Sequence, residues 1–133
     1  MRSRVTPKMI RRLLAADGYL HLDLPHQAID ELNKISDAGA LEGPRQLLLG
    51  LSMKRAGDLI GAVDHLENAA RVMPGSVRNF AWSELASCYR ESGSDSLADL
   101  AESLGGEKFY ELRIALPFGE ISIASADATY QSV

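Results

Sequence analysis

Cysteine is nearly absent from this 133-residue chain, in which Cys88 is the only one. A single thiol cannot form an intramolecular disulfide, so a small scaffold held together by disulfides is excluded. This usage is typical of proteins in a reducing compartment, and we expect a cytoplasmic protein. Cys88 lies among small residues, and we expect it to pack in the interior rather than to act as a nucleophile.

Long hydrophobic runs are also missing. No window approaches the roughly 18 uncharged apolar residues that indicate a transmembrane helix. Arg11 and Arg12 are followed only by the short apolar run LLAA, which is too short for the apolar core of a secretory signal. We therefore expect neither a membrane span nor a membrane partner.

Residues that carry chemistry are few, and the histidines are limited to His21, His26 and His65. Asp17 and His21 are one helical turn apart, a spacing that suits a metal, but no second pair supports it. No glycine-rich loop follows a strand, so nothing predicts phosphate binding. We predict no catalytic residue, metal or cofactor. The alternative of an enzyme's regulatory subunit, or of an enzyme, stays open because a fold does not determine function.

The formal net charge is -4, which is too small to indicate a partner, and we predict no nucleic-acid partner. The first acidic residue, Asp17, follows five basic ones: Arg2, Arg4, Lys8, Arg11 and Arg12. One interpretation of such a basic end is a surface that docks an acidic partner. We favour the simpler interpretation of a solvated first helix.

Amphipathic helical segments dominate the remaining pattern, and they are separated by turn signals. The stretch from Gly43 to Pro74 is typical of two helices joined by a tight turn near Gly57. Similar segments on either side bring the predicted number of helices to six. The first helix is predicted to start at Thr6, with Pro7 in its first turn. Asp58 is a predicted N-cap, because its carboxylate can accept hydrogen bonds from the first free N–H groups of a helix.

The helical segments repeat along the chain. Tyr19 and Met53, Ala28 and Ala62, and Leu32 and Leu66 are each 34 residues apart, the period of a tetratricopeptide repeat. In the third unit, Trp82-x2-Leu85-Ala86-x2-Tyr89 matches the W-x2-L-G-x2-Y motif of that repeat, with Ala in place of Gly. The chain therefore resembles a tetratricopeptide repeat (TPR) protein with three repeats, at about 6-40, 43-74 and 76-105.

This resemblance implies an all-α fold, a right-handed stack of antiparallel helix pairs within residues 1-106. It also makes Trp82 a core anchor. In the family, the first helix of each pair lines a concave groove, which usually binds a peptide or a partner helix. The groove residues that the resemblance implies are Ile10, Leu13, Asp17, His21, Leu47, Leu51, Lys54, Arg55, Phe80, Ser83, Ser87 and Arg90.

The mixture of aliphatic and charged residues in this set suits an amphipathic helix or an extended apolar segment. The resemblance therefore implies a non-enzymatic scaffold that binds another protein. A small chaperone for a secreted or membrane-destined subunit is an alternative with the same architecture. The asparagine–lysine clamp of co-chaperones is absent, since Leu13, Asp17 and Leu51 occupy the matching positions.

The segment 107-133 lies outside the repeats. Its first part has two interpretations, because Phe109, Leu112 and Leu116 form a helical stripe, while alternate apolar residues up to Ile123 favour a β-hairpin. Repeat stacks need a terminal cap, so we favour a short capping helix over the sixth helix, whose apolar residues are Leu97, Leu100 and Leu104. Contact through the same segment with a second copy, giving a homo-oligomer, is left open. The end, 124-133, is expected to be flexible.

Overall fold

The computed structural model describes residues 5–105, 111–116 and 119–124. Within these ranges the chain is mostly helical, with six α-helices, a short 3-10 helix and a two-stranded antiparallel sheet. The helices are α1 (Pro7–His21), α2 (Pro25–Asn33), α3 (Glu42–Ala56), α4 (Leu59–Val72), α5 (Gly75–Glu91) and α6 (Asp95–Gly105), with the 3-10 helix at Gly39–Leu41 before α3. The strands are β1 (Glu111–Leu116) and β2 (Gly119–Ala124).

Local sequence signals explain where the helices begin. The Thr6 hydroxyl accepts a hydrogen bond from the Met9 N–H at 3.2 Å, and the Asp58 carboxylate accepts one from the Gly61 N–H at 2.9 Å. The cap at Asp58 is as predicted, and each of the two side chains satisfies an N–H that has no partner within the helix. Pro25 occupies the first turn of α2, where its missing N–H costs nothing.

The turns between α1 and α2, α3 and α4, and α5 and α6 have the same hydrogen bond. The amides of Leu24, Asp58 and Ser94 each donate to the carbonyl five residues earlier, at 2.8, 2.9 and 2.8 Å. The residue before each amide has a positive φ: 58° at Asp23, 89° at Gly57 and 83° at Gly93. This is the Schellman type of helix ending, which reverses the chain tightly. Three of the turns between helices therefore share one geometry.

Small residues let the helices approach closely. A Cβ atom on Gly50 of α3 would lie 2.7 Å from Leu66 Cγ of α4, closer than side chains tolerate. Ala16 and Ala86, the equivalent residues of α1 and α5, are buried. Each helix contacts the next along the chain, and α3 also contacts both α1 and α5. The odd-numbered helices therefore lie side by side, with α3 in the middle.

The core consists of aliphatic side chains packed around the ring of Phe80. Phe80 has no exposed surface, and neither do Leu13, Leu47 and Leu85. Trp82, the predicted anchor, is only partly buried against this cluster. The largest buried side chain of α5 is therefore Phe80, two residues before the motif tryptophan.

The prediction of a capping helix after residue 107 is wrong for the described part of that segment, which is a hairpin. β1 pairs with β2 in a register that places Ile114 opposite Ile121 and Leu116 opposite Gly119. Aliphatic residues alternate along both strands and place one apolar side of the hairpin on the helices, a period of two that a helix does not have. The predictions for 107–110, 117–118 and 125–133 lie outside the described residues. Ala124, the first residue of the predicted flexible end, is the last residue of β2.

The hairpin also does not cover α6, where the capping segment was expected. β2 contacts α1 and β1 contacts α5, while Leu97, Leu100 and Leu104 of α6 remain about half exposed. The hairpin therefore lies on the side of the molecule where α1, α3 and α5 are neighbours. Within the described ranges, no helix is long and apolar enough to cross a membrane.

Candidate functional site

The surface that receives the hairpin is made by α1, α3 and α5, and we call it the inner face. Its residues at the hairpin are Leu14 and Asp17 of α1, Leu51 and Lys54 of α3, and Glu84 of α5. These helices were predicted to line the groove. The inner face is occupied by a segment of the same chain.

Strand β2 is held in three ways. Ile121 is completely buried and Ile123 is 6% exposed, so alternate aliphatic side chains enter the core. The Ser122 N–H donates to the Asp17 carboxylate at 3.4 Å. A Cβ on Gly119 would lie 2.8 Å from Leu14 Cδ1, so β2 approaches α1 closely here and a larger residue would displace the Leu14 side chain. Binding of an extended peptide requires apolar pockets for alternate residues and an acceptor for a strand amide.

Asp17 is the polar residue at the centre of these contacts and is 7% exposed. Burial raises its pKa above the ordinary value of 3.8, while the Ser122 amide and the nearby His21 oppose that rise. His21 Nε2 is 3.6 Å from Asp17 Oδ1, an ion-pair distance that is longer than a good hydrogen bond. The carboxylate thus lies at the edge of β2 with acceptor capacity to spare.

A buried ion pair joins α3 to α5 beside the strand. Lys54 Nζ is 2.7 Å from Glu84 Oε2, and both side chains are nearly buried. Burial by itself would lower the pKa of Lys54, but the attraction and hydrogen bond of Glu84 outweigh it and raise that pKa. Lys54 is therefore charged at neutral pH. Removing either one would leave a buried charge without its partner.

Cys88 lies behind this pair and is fully buried. Burial raises the pKa of its thiol to about 11, against a smaller opposite effect of Lys54. At neutral pH the thiol stays protonated, the form that is a poor nucleophile. The structure therefore agrees with an interior packing role.

A cavity of about 200 Å³ lies next to β2 at the carboxyl ends of the odd-numbered helices. Its walls are Asp17, Leu20, His21, Leu51, Lys54, Arg55, Glu84, Glu91, Ser122 and Ile123. Five predicted groove residues meet here: Asp17, His21, Leu51, Lys54 and Arg55. Sequence reasoning missed Glu84 and Glu91, and it also missed the strand residues. No local signal pairs Glu84 with Lys54, because the two residues are on different helices.

The other predicted groove residues do not line this cavity. Ile10, Leu13, Leu47 and Phe80 are buried in the core, and Ser83 and Ser87 are partly buried. Arg90 is exposed and pairs with α6 rather than with the inner face. Its guanidinium contacts Asp99 at 3.0 Å and Glu102 at 2.8 Å. The apolar residues of the predicted groove are thus already buried in the core. The polar residues of α1 and α3 lie around the cavity, which is open.

Comparison of the chain with models of protein families, with curated proteins and with solved structures finds no match. Across the part of the chain that the structure describes, no three His, Cys, Asp or Glu side chains are grouped as metal ligands. The functional conclusion therefore depends on the geometry of the inner face.

Proposed function

We propose that this chain is a non-enzymatic protein-interaction module of the TPR type. In this proposal its three helix pairs stack as a right-handed solenoid, and the inner face binds an extended apolar segment of another protein. The three equivalent turns and the small residue at each helix-pair contact support the repeat. The observation that carries the binding function is the hairpin seated on the inner face, with Ile121 and Ile123 buried there.

An extended segment suits this face better than a helix. Asp17 accepts a hydrogen bond from a strand amide, and a helix has free amides only in its first turn. Ile121 and Ile123 enter the core from alternate positions of one strand, a spacing of two that a helix does not offer. Of the two kinds of ligand that the sequence suggests, the geometry favours the extended one.

In this proposal the hairpin occupies the inner face until a segment of the partner protein replaces it. A two-stranded hairpin is at best marginally stable alone in water, so its folded form depends on the inner face. A partner binds only the fraction of molecules in which the hairpin has left. Its apparent dissociation constant is therefore the intrinsic one divided by that fraction.

A labelled peptide with the sequence of residues 111–124 tests the proposal on the full chain. The variant Ile121→Ser weakens the chain's own hairpin, so the open fraction rises. We expect the peptide to bind this variant about tenfold more tightly than the parent, or better. Leu97→Ser on the exposed face of α6 is the matched control, and its affinity should equal that of the parent.

Failure to bind the peptide, in an Ile121→Ser variant that keeps its helical circular dichroism, would refute the proposal. Hydrogen exchange on the parent chain gives a second test that does not depend on the variant's stability. Excess peptide should speed exchange in β1 and β2 and leave the helices protected. Unchanged exchange in both strands would mean that the hairpin is a permanent part of the fold.

A further inference from the structure

The cavity beside β2 is built jointly by the helices and the hairpin. Leu20 and Leu51 come from α1 and α3, Glu91 comes from α5, and Ser122 and Ile123 come from β2. Removing the hairpin would remove one wall. A molecule that fills the cavity therefore binds the closed form of the chain and not the open form.

The charges around the cavity favour a cation. The wall has three carboxylates, on Asp17, Glu84 and Glu91, against the charges of Lys54 and Arg55. Glu84 is already neutralised by Lys54 at 2.7 Å. Arg55 contacts other groups, so neither Lys54 nor Arg55 forms an ion pair with Asp17 or Glu91.

Arg55 Nη1 is 3.6 Å from Asp23, which lies outside the cavity wall, and donates to the Leu20 carbonyl at 3.3 Å. His21 lies 3.6 Å from Asp17 Oδ1, and its side chain is about half exposed. The cavity also lies where α1, α3 and α5 end, and the negative ends of helix dipoles favour positive charge. The electrostatic balance is therefore negative.

The rest of the cavity suits an aliphatic chain. Leu20, Leu51 and Ile123 supply apolar walls. A volume of about 200 Å³ corresponds to six or seven small groups at roughly 30 Å³ each, the share of one water molecule. A linear amine of five carbons has about this size.

We propose that this cavity binds a small aliphatic amine as its ammonium ion, and that binding holds the hairpin closed. The ammonium lies against Asp17 and Glu91, and the carbon chain lies between Leu20, Leu51 and Ile123. The ligand is a free amine and not a lysine of the partner segment, because that segment displaces the wall residues Ser122 and Ile123. The binding site stands on its own geometry, whereas its regulatory effect rests on the proposed function.

Thermal melts of the full chain with n-pentylammonium test the binding. Pentan-1-ol and pentanoate, at the same concentration and ionic strength, are neutral and anionic probes of similar size. We expect the melting temperature to rise with pentylammonium and to change little with the other two. The rise should be lost in Asp17→Asn and reduced in Glu91→Gln. Asp30→Asn, which changes an exposed acid of α2, should keep it.

An equal rise with pentan-1-ol, or a larger one with pentanoate, would overturn the recognition of a cation. A rise that survives in Asp17→Asn would place the amine elsewhere. These melts need no partner segment, so they separate failure of this site from failure of the proposed function.

The regulatory effect is measured as competition with the labelled peptide. Because the amine binds only the closed form, a concentration ten times its dissociation constant should weaken peptide binding about tenfold. Unchanged peptide affinity, with the thermal shift present, would overturn the regulation. If a partner lysine were the ligand instead, a peptide with lysine at the position of Ser122 would bind more tightly, and the amine would compete with it directly.

Discussion

At the scale of single residues, Asp17 determines how docking of the hairpin depends on pH. Burial raises its pKa above 3.8, so the folded protein holds this proton more tightly than the unfolded chain does. The stabilisation from protonation is fully present below the unfolded pKa and is lost as the pH rises through the folded pKa. At neutral pH, a buried charge therefore lowers the free energy of unfolding.

Asp17→Asn removes that charge and keeps an acceptor for the Ser122 amide. We expect the variant to melt at a higher temperature than the parent at neutral pH, and the difference to shrink toward about pH 4. Asp17→Ala, which also loses the acceptor, should melt lower than Asp17→Asn. An Asn variant that melts below the parent at neutral pH would mean that the charge itself, through His21 and Ser122, holds the strand.

Phe80 and Trp82 allow a second test at this scale, because they are two residues apart on α5. Phe80 is fully buried, and Phe80→Ala should lower the free energy of unfolding by about 3–5 kcal/mol. Trp82 is only partly buried, so Trp82→Ala should cost less. Denaturant unfolding of both variants measures the order, and a larger loss at Trp82 would contradict the burial described for α5.

At the scale of elements, the contact between α3 and α4 depends on the absence of a side chain at Gly50. A Cβ there would meet Leu66 Cγ at 2.7 Å and the Leu66 backbone nitrogen at 3.2 Å. Gly50→Ala should therefore force the two helices apart and cost about 1–3 kcal/mol of unfolding free energy.

Gly18→Ala is the matched control for Gly50, since nothing lies within 4 Å of a Cβ at Gly18. Within α1, the better helix propensity of alanine should raise the unfolding free energy by up to about 1 kcal/mol. Urea unfolding should therefore shift in opposite directions for the two variants. A stabilising effect at both positions would mean that α3 and α4 do not approach closely.

At the scale of the whole molecule, the hairpin covers the apolar part of the inner face. Deleting residues 107–133 removes Ile121 and Ile123 and leaves their apolar contacts in water, which promotes association. We expect the truncated chain to melt at a lower temperature and to scatter light at concentrations where the full chain stays clear. Its helical circular dichroism at low temperature should persist.

Replacing Leu97, Leu100 and Leu104 together by serine in the full chain is the control for this truncation. These side chains are about half exposed, so the melting temperature should change little. If the serine changes restored solubility to the truncated chain, the terminal segment would be covering α6 instead of the inner face.

The sequence by itself determined the local features of this protein. The predictions included the start of the first helix at Thr6, the cap at Asp58 and the tight turn at Gly57. These features depend on residues within a few positions of each other. The same holds for Ala86, which the motif of the third unit places at a glycine position and which is buried.

Only the tertiary structure decided what covers the inner face. The segment after residue 107 fits a helical or an alternating pattern, and burial of Ile121 and Ile123 against α1, α3 and α5 favours the strand. Asp17 and Ser122 are 105 residues apart, and the pairing of Lys54 with Glu84 joins two different helices. Contacts of this kind leave no local pattern, because burial and ion pairing depend on which distant residues the fold brings together.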